Sequence, residues 1–83
     1  MTRIKVLLFA TLRERAGGAK FIELTLPDGA TMGMLKEQIA REYPTLSPSM
    51  KSVLATINRE YAADETVLLE GAELAMFPPV SGG

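Results

Sequence analysis

Alternating hydrophobic and polar positions predict strands at both ends of the chain. In residues 3–9, every second side chain from Ile4 onward is aliphatic, as is typical of a strand with one buried face. The same pattern predicts strands at residues 21–26, 53–57 and 73–77, and a short edge strand at residues 67–69. Polar segments rich in Gly, Pro, Asn and Asp separate these strands and are typical of turns.

Helices are predicted between the strands. Residues 31–43 carry hydrophobic side chains at helical spacing, with a threonine at the start and a proline directly behind. A shorter helix is predicted at residues 10–16, where Thr11 and Glu14 have the spacing of a capping box. Residues 45–52 are polar and contain a proline, so we expect a connection or a single helical turn there.

The order of these elements predicts an α+β fold in which one main helix packs across a mixed sheet. If the last strand lies parallel to the first, the arrangement is the β-grasp of ubiquitin and its relatives. The sequence contains no internal repeat and no linker. We therefore expect a single domain over residues 1–77, followed by an extended tail over residues 78–83.

Composition excludes most of the chemistry that a protein performs alone. The 83 residues include no histidine and no cysteine, so the chain has no thiol nucleophile and cannot form a disulfide. It also lacks the nitrogen and sulfur ligands of a structural zinc site. A core in so short a chain leaves little room for a deep substrate pocket. We expect no bound metal and no enzymatic activity by the chain on its own.

Charge is distributed unevenly along the chain. All nine basic side chains precede residue 60, whereas residues 60–83 carry five of the ten acidic ones. An acidic end favours a partner with a basic entrance, although a solvated acidic surface explains the same excess. No basic cluster typical of nucleic-acid binding is visible, and the longest apolar run, residues 6–10, is too short to cross a bilayer. We expect a soluble, cytoplasmic protein that binds neither nucleic acid nor a membrane.

Three aromatic side chains fall outside the predicted core. Alternation places Phe9 and Phe77 on the polar faces of the first and last strands. Tyr61 follows a predicted tight turn at Asn58 and has no core periodicity. If the first and last strands are neighbours, the three rings gather into one patch, which is typical of a partner site. A small second core, or the loop at residues 62–70, would cover the rings instead.

The last six residues, 78–83, have no strand or helix pattern. Pro78 and Pro79 have no N–H to donate to a β-ladder, whereas Gly82 and Gly83 leave the backbone almost unrestricted. Fully extended, six residues reach about 20 Å. The reactive group of this tail is the α-carboxylate of Gly83, which a partner enzyme can activate as an acyl adenylate. The alternatives are an ordinary frayed terminus and a remnant of cloning.

Family-specific sequence is strongest at the end of the chain, from Pro78 to Gly83. The segments that carry it are residues 4–10, 12–14, 26–31, 57–61 and 71–83. In these segments the chain resembles the small subunits of molybdopterin synthase, which are ubiquitin-like sulfur carriers. Ala72 departs from the family, where an acidic residue more often follows the glycine, and this weakens an inferred loop contact only.

The resemblance implies a role for the tail. An E1-like adenylyltransferase would use ATP to adenylate Gly83, which would then be converted to a thiocarboxylate. Ser81 and Gly82 would thread the tail into the active site of the synthase's large subunit. There the sulfur would pass to cyclic pyranopterin monophosphate, to build the dithiolene of molybdopterin. The residues that approach this active site would be Pro78, Pro79 and Val80.

The resemblance also implies the assembly. Phe9, Tyr61 and Phe77 would form the apolar surface that contacts the large subunit, in a heterotetramer of two small and two large subunits. No cofactor would be bound permanently, because the activating partner uses the ATP and the sulfur is carried covalently. Arg13 matches a recurrent family position, but a solvated helix charge explains it equally well.

Other functions stay open on the sequence alone. The chain could be a different β-grasp sulfur carrier, serving thiazole or cysteine synthesis, or a protein modifier that is conjugated to lysine. It could also be an interaction domain whose terminal glycines have no chemistry.

Overall fold

Five strands form one mixed sheet in the computed structural model, which describes residues 1–79. Their order across the sheet is β2-β1-β5-β3-β4, with β1 and β5 parallel and the other neighbours antiparallel. This is the predicted β-grasp arrangement, with the last strand beside the first. The strands are β1 (Thr2–Leu8), β2 (Phe21–Leu26), β3 (Leu54–Ile57), β4 (Glu60–Tyr61) and β5 (Leu74–Phe77).

Helix α2 (Met32–Glu42) is the long helix predicted from hydrophobic spacing. Its cap is Thr31, whose hydroxyl oxygen accepts a hydrogen bond from the amide of Met34 at 3.3 Å. The buried side chains of α2 face the core, and they are Met32, Leu35 and Ile39. The helix ends before Pro44, as its sequence predicts.

The two central strands are fixed by their inward-facing side chains. In β1, Ile4, Val6 and Leu8 are at most 1% exposed, and so are Leu74 and Met76 of β5. Full burial of one such side chain contributes roughly 1.5–3 kcal/mol. Because strand side chains alternate, this burial directs the residues between them to the opposite, outer face of the sheet.

The start of the short helix α1 (Thr11–Arg15) differs from the predicted capping box. Thr11 is the first helical residue, and the capping position belongs to Ala10, which makes no side-chain hydrogen bond. Ala10 has a φ angle of 54°, so the chain leaves β1 through a left-handed turn. The backbone carbonyl of Phe9 then accepts the amide of Leu12 at 3.2 Å. A backbone carbonyl therefore caps the start of α1, where the Thr11 side chain was expected to do so.

Residues 45–52 are more regular than predicted. A 3₁₀ helix spans Pro44–Lys51, where we expected a connection or a single turn. Its buried side chains, Leu46 and Met50, belong to the core cluster. This packing outweighs the polar composition and the proline inside the segment, which suggested irregular structure.

The edge of the sheet also lies elsewhere than predicted. Residues 67–69 form no edge strand, because Val67 makes only an isolated bridge with Thr31 at the start of α2. The edge on this side of the sheet is β4, which pairs with β3 after the two-residue turn Asn58-Arg59, and β2 is the opposite edge. A strand of two residues is too short for alternation along the sequence to reveal it.

Candidate functional site

The aromatic rings of Phe9 and Phe77 stack where the two central strands end. Their centroids lie 4.7 Å apart, with 10° between the ring planes. The parallel register of β1 and β5 pairs Leu8 with Met76. The next residues, Phe9 and Phe77, therefore lie side by side at the same end of the sheet. Both rings are half-buried. The structure therefore brings together two of the three aromatic residues that the sequence singled out.

Tyr61 lies on the same outer face, across a groove from this stack. It pairs with Thr56 of β3, which in turn pairs with Ala75 of β5. The Tyr61 side chain remains 77% exposed, so the loop at residues 62–70 does not cover it. All three predicted aromatics thus share one face of the sheet.

The groove between Tyr61 and the Phe9–Phe77 stack has a volume of about 440 Å³. Its floor is formed by Thr56 and Ala75, which are 8% and 6% exposed. These side chains are smaller than the aromatic rings on either side, and the floor is consequently recessed. The groove has the size and lining to receive an apolar side chain from a partner.

The apolar surface continues beyond the three aromatic residues. Leu7 pairs with Ala75 on one side and with Phe21 of β2 on the other. Phe21 is 42% exposed, and the ammonium group of Lys5 lies 4.2 Å from the centroid of its ring. Alternation along β1 and β2 places Leu7 and Phe21 on the outer face. Only the strand order shows that they extend the same patch.

The side chain of Arg13 is hydrogen-bonded to the end of β1. Its Nε donates a hydrogen bond to the carbonyl oxygen of Leu8 at 3.2 Å, and its guanidinium lies 5.7 Å from the centroid of the Phe9 ring. Both contacts hold Arg13 against the aromatic stack, within the range of a cation–π interaction. Arg13 is therefore more than a solvated helix charge.

The rim of the groove carries one positive and one negative side chain. Nε of Arg59 lies 3.5 Å from Oε2 of Glu73, and both side chains are largely exposed. Backbone contacts hold Glu73 in place, because its carbonyl oxygen accepts the amide of Asn58 at 2.7 Å. Its own amide donates to the Asn58 side-chain oxygen at 3.0 Å. Neither Arg59 nor Glu73 was singled out from the sequence.

The tail begins directly beside the aromatic stack. Phe77 ends β5, and the next residues are the half-buried Pro78 and the exposed Pro79. The predictions for Val80, Ser81, Gly82 and Gly83 lie outside the described residues. The base of the tail is thus next to the apolar surface. A partner that binds this surface is therefore also close to the start of the tail.

The described part of the chain offers neither a metal site nor a membrane-spanning helix. In residues 1–79, no three or more acidic side chains come together in a group that could hold a metal ion. Within the same residues, no helix is both long and apolar enough to cross a membrane.

Comparison with known sequences gives matches along almost the whole chain. Residues 6–83 match the model of the ThiS family. The molybdopterin synthase sulfur carrier subunit of Chlamydomonas reinhardtii is 41% identical, over 98% of this chain and 99% of its own. Proteins of the same name from Arabidopsis thaliana and Mycobacterium tuberculosis are 36% and 32% identical. The Arabidopsis match covers 96% of this chain and 82% of the relative, and the mycobacterial match covers all of both.

Solved structures resemble the whole fold. A putative molybdopterin converting factor, subunit 1, from Pyrococcus furiosus has a TM-score of 0.85 at 27% identity, covering 96% of this chain and 100% of its own. SAMP1 from Haloferax volcanii has a TM-score of 0.83 at 31% identity, covering 98% and 99%. Both structures support the β-grasp topology described above.

Proposed function

This chain belongs to the ThiS family, and we propose that it is the sulfur carrier subunit of a molybdopterin synthase. The observation that carries the proposal is its similarity over nearly full length to several relatives of that one name, at 32–41% identity for three of them. The structure adds an exposed apolar surface on the outer face of the sheet, at the base of the terminal segment. A carrier needs both features, because its terminus must be presented to a partner that holds the rest of the molecule.

The reactive atom in this proposal is a sulfur atom carried on Gly83. The Gly83 carboxylate attacks the α-phosphorus of ATP in an E1-like adenylyltransferase, and pyrophosphate leaves. A sulfur nucleophile at the oxidation level of sulfide then attacks the acyl carbon, and AMP leaves with the bond electrons. The product is a terminal thiocarboxylate. The sulfur is subsequently transferred to cyclic pyranopterin monophosphate in the large subunit, with water restoring the carboxylate.

The division of labour follows from composition. With no histidine or cysteine in its 83 residues, the chain offers none of the commonest acid–base or thiol catalysts. We infer that the large subunit and the adenylyltransferase supply catalysis and ATP binding, while this chain supplies the acyl group and the docking surface. It binds no permanent cofactor in this proposal. The assembly is a cytoplasmic heterotetramer of two small and two large subunits.

Phe9, Tyr61 and Phe77 form the docking surface for the large subunit in this proposal. Three rings around a recessed floor match the usual anatomy of a binding hot spot, in which a few aromatic side chains contribute most of the affinity. Pro78 and Pro79 directly follow Phe77 of this surface, so we infer that docking brings Val80, Ser81, Gly82 and Gly83 to the partner's active site.

A second candidate function is protein modification, in which the terminal glycine is joined to lysine. It is favoured by the similarity to SAMP1 from Haloferax volcanii, a small archaeal modifier protein. The same activated terminus serves both functions. They differ in the nucleophile that attacks Gly83, which is a sulfur donor in one and a lysine amine in the other.

Affinity purification from the native cells separates these functions. An N-terminal tag on the chain leaves the Gly83 end unmodified, and a variant lacking Gly83 is the matched control. We expect co-purification of a pterin-binding large subunit. On addition of the precursor, the adenylyltransferase, ATP and a sulfur donor, the purified complex should produce molybdopterin. Recovery of a thiazole or cysteine synthase instead, or of lysine conjugates that require Gly83, would contradict the proposal.

A further inference from the structure

The turn between β3 and β4 contains a side chain where glycine is favoured. Asn58 and Arg59 form a two-residue hairpin turn, with φ angles of 50° and 71°. Turns with both central residues in the left-handed region favour Asn at the first position and Gly at the second. Asn58 follows this preference, whereas Arg59 adopts a conformation that side chains disfavour. A residue that breaks a local backbone preference in this way is a candidate for a role outside the fold.

The contacts of Arg59 within the chain do not explain its presence. Its side chain is 86% exposed, and its ion-pair partner Glu73 is 51% exposed. Pairs this open to solvent contribute little to stability. Asn58 already holds the Glu73 backbone through two hydrogen bonds, so the turn does not depend on the Arg59 side chain.

Arg59 is instead placed at the groove. It lines the groove together with Tyr61 and Phe77, and among the described lining residues it is the one cation. The ion pair with Glu73 uses Nε, and within residues 1–79 the structure shows no hydrogen bond from the two terminal nitrogens of Arg59. These nitrogens are the part of a guanidinium that binds a carboxylate in a two-point contact.

We propose that Arg59 is a specificity determinant, which pairs with a carboxylate on the large subunit while an apolar side chain of that subunit fills the groove. This inference rests on the proposed function, because it assigns the occupant of the groove. Charge supports it: besides Arg59, the cations of Lys5 and Arg13 lie against rings of the same apolar surface, which is therefore complementary to a partner that carries carboxylates. The ion pair at the rim and the apolar side chain in the groove can form together in one orientation only. The pair therefore fixes the orientation of docking.

The test compares Arg59→Gly with Arg59→Lys in complexes with the large subunit of the same organism. Glycine relieves the left-handed strain and removes the charge, whereas lysine keeps both. We expect Arg59→Gly to melt at the same or a higher temperature than the wild type, yet to bind the large subunit roughly three- to fivefold more weakly at low salt, the effect of an exposed ion pair. Its affinity should also depend less on salt. Arg59→Lys keeps the charge but not the two-point contact, so its affinity should lie between those of the wild type and Arg59→Gly.

The outcomes separate this inference from the proposed function. If the wild type binds the large subunit and Arg59→Gly binds with the same affinity and salt dependence, Arg59 has no role in docking although the function stands. If Arg59→Gly lowers the melting temperature markedly, its role lies within the fold and the inference is likewise wrong. If the wild type itself does not bind, the proposed function fails, and the inference fails with it. Glu73→Gln is the control, and it should leave the affinity unchanged or slightly higher, since it removes a competitor for Arg59.

Discussion

The Phe9 and Phe77 rings stack at 4.7 Å because β1 and β5 run in parallel and end side by side. This contact joins the two ends of the chain at the point where the tail begins. Each ring follows a strand residue that is buried in the core, Leu8 or Met76, and both of these are at most 1% exposed. The core thereby determines where the proposed docking surface lies, and the tail begins beside it.

Replacing Phe77 should affect binding far more than folding. Phe77→Asp puts a charge into the apolar surface, so the affinity for the large subunit should fall at least tenfold, as for a hot-spot residue. The fold should lose only about 1 kcal/mol, the usual contribution of an aromatic pair. Titration calorimetry and thermal melting of the same samples measure the two effects.

The neighbouring core residue is the matched control for Phe77. Met76→Ala removes a side chain that is 1% exposed, so unfolding should become easier by roughly 2–5 kcal/mol. The molecules that stay folded should bind normally. A Phe77→Asp variant that melts like Met76→Ala but binds the large subunit with normal affinity would show that Phe77 belongs to the core.

Asp28 should make stability depend on pH in the acid range. The hydroxyl of Thr2 donates to its carboxylate at 2.7 Å, and this bond, followed by the nearby terminal ammonium, lowers the pKa of Asp28 below its usual 3.8. A lowered folded-state pKa stabilises the fold above the unfolded value, and this contribution is lost as the pH falls through the folded value. Asp28→Asn should therefore melt slightly below the wild type at pH 7.

The pH dependence of this difference is the useful observation. It should shrink as the pH is lowered past 3.8 and disappear in stronger acid, because the wild-type carboxyl is then also neutral. Glu65→Gln, at an exposed loop position, serves as the control and should melt like the wild type throughout. A difference between Asp28→Asn and the wild type that stays constant down to pH 2 would show that the ionised carboxylate has no stabilising role.

Changes at the end of the tail should leave the fold intact but abolish function. Every described residue of the core cluster lies at or before Met76, so deleting Gly83 or adding a residue after it should leave the melting temperature unchanged. Molybdopterin formation should be abolished in both variants, because the acyl group is lost or displaced. Synthesis of molybdopterin by either variant at the wild-type rate would contradict the proposed chemistry.

Much of the fold follows from local pattern. Helix α2 is long, capped by Thr31 and strongly periodic, and β1 alternates over its full length, so both could be predicted from sequence. The edge strand β4 could not be predicted, because it has two residues and only its pairing with β3 defines it. The capping box at Thr11 was wrong because a left-handed Ala10, which no propensity predicts, shifts the start of α1 by one residue.

The candidate site likewise has a part that could be predicted from the sequence and a part that could not. Alternation alone predicted that Phe9 and Phe77 point outward, because it depends only on each strand by itself. The inclusion of Leu7 and Phe21 depends on strand order, which is not visible along the sequence. The turn at Asn58 was predicted, but its placement of Arg59 at the groove depends on how the strands pair and was not. Composition contributed a further part, the expectation that partners supply the catalysis, because the chain has no histidine and no cysteine.

The measurement that tests the central claim most directly is the intact mass of the chain after incubation with its adenylyltransferase, ATP and a sulfur donor. We predict a mass increase equal to the replacement of one oxygen atom by one sulfur atom, assigned by fragmentation to Gly83. The variant lacking Gly83, treated in parallel, should show no sulfur at its new terminus. An unchanged mass for the wild type, with an adenylyltransferase shown to be active on another carrier, would contradict the account.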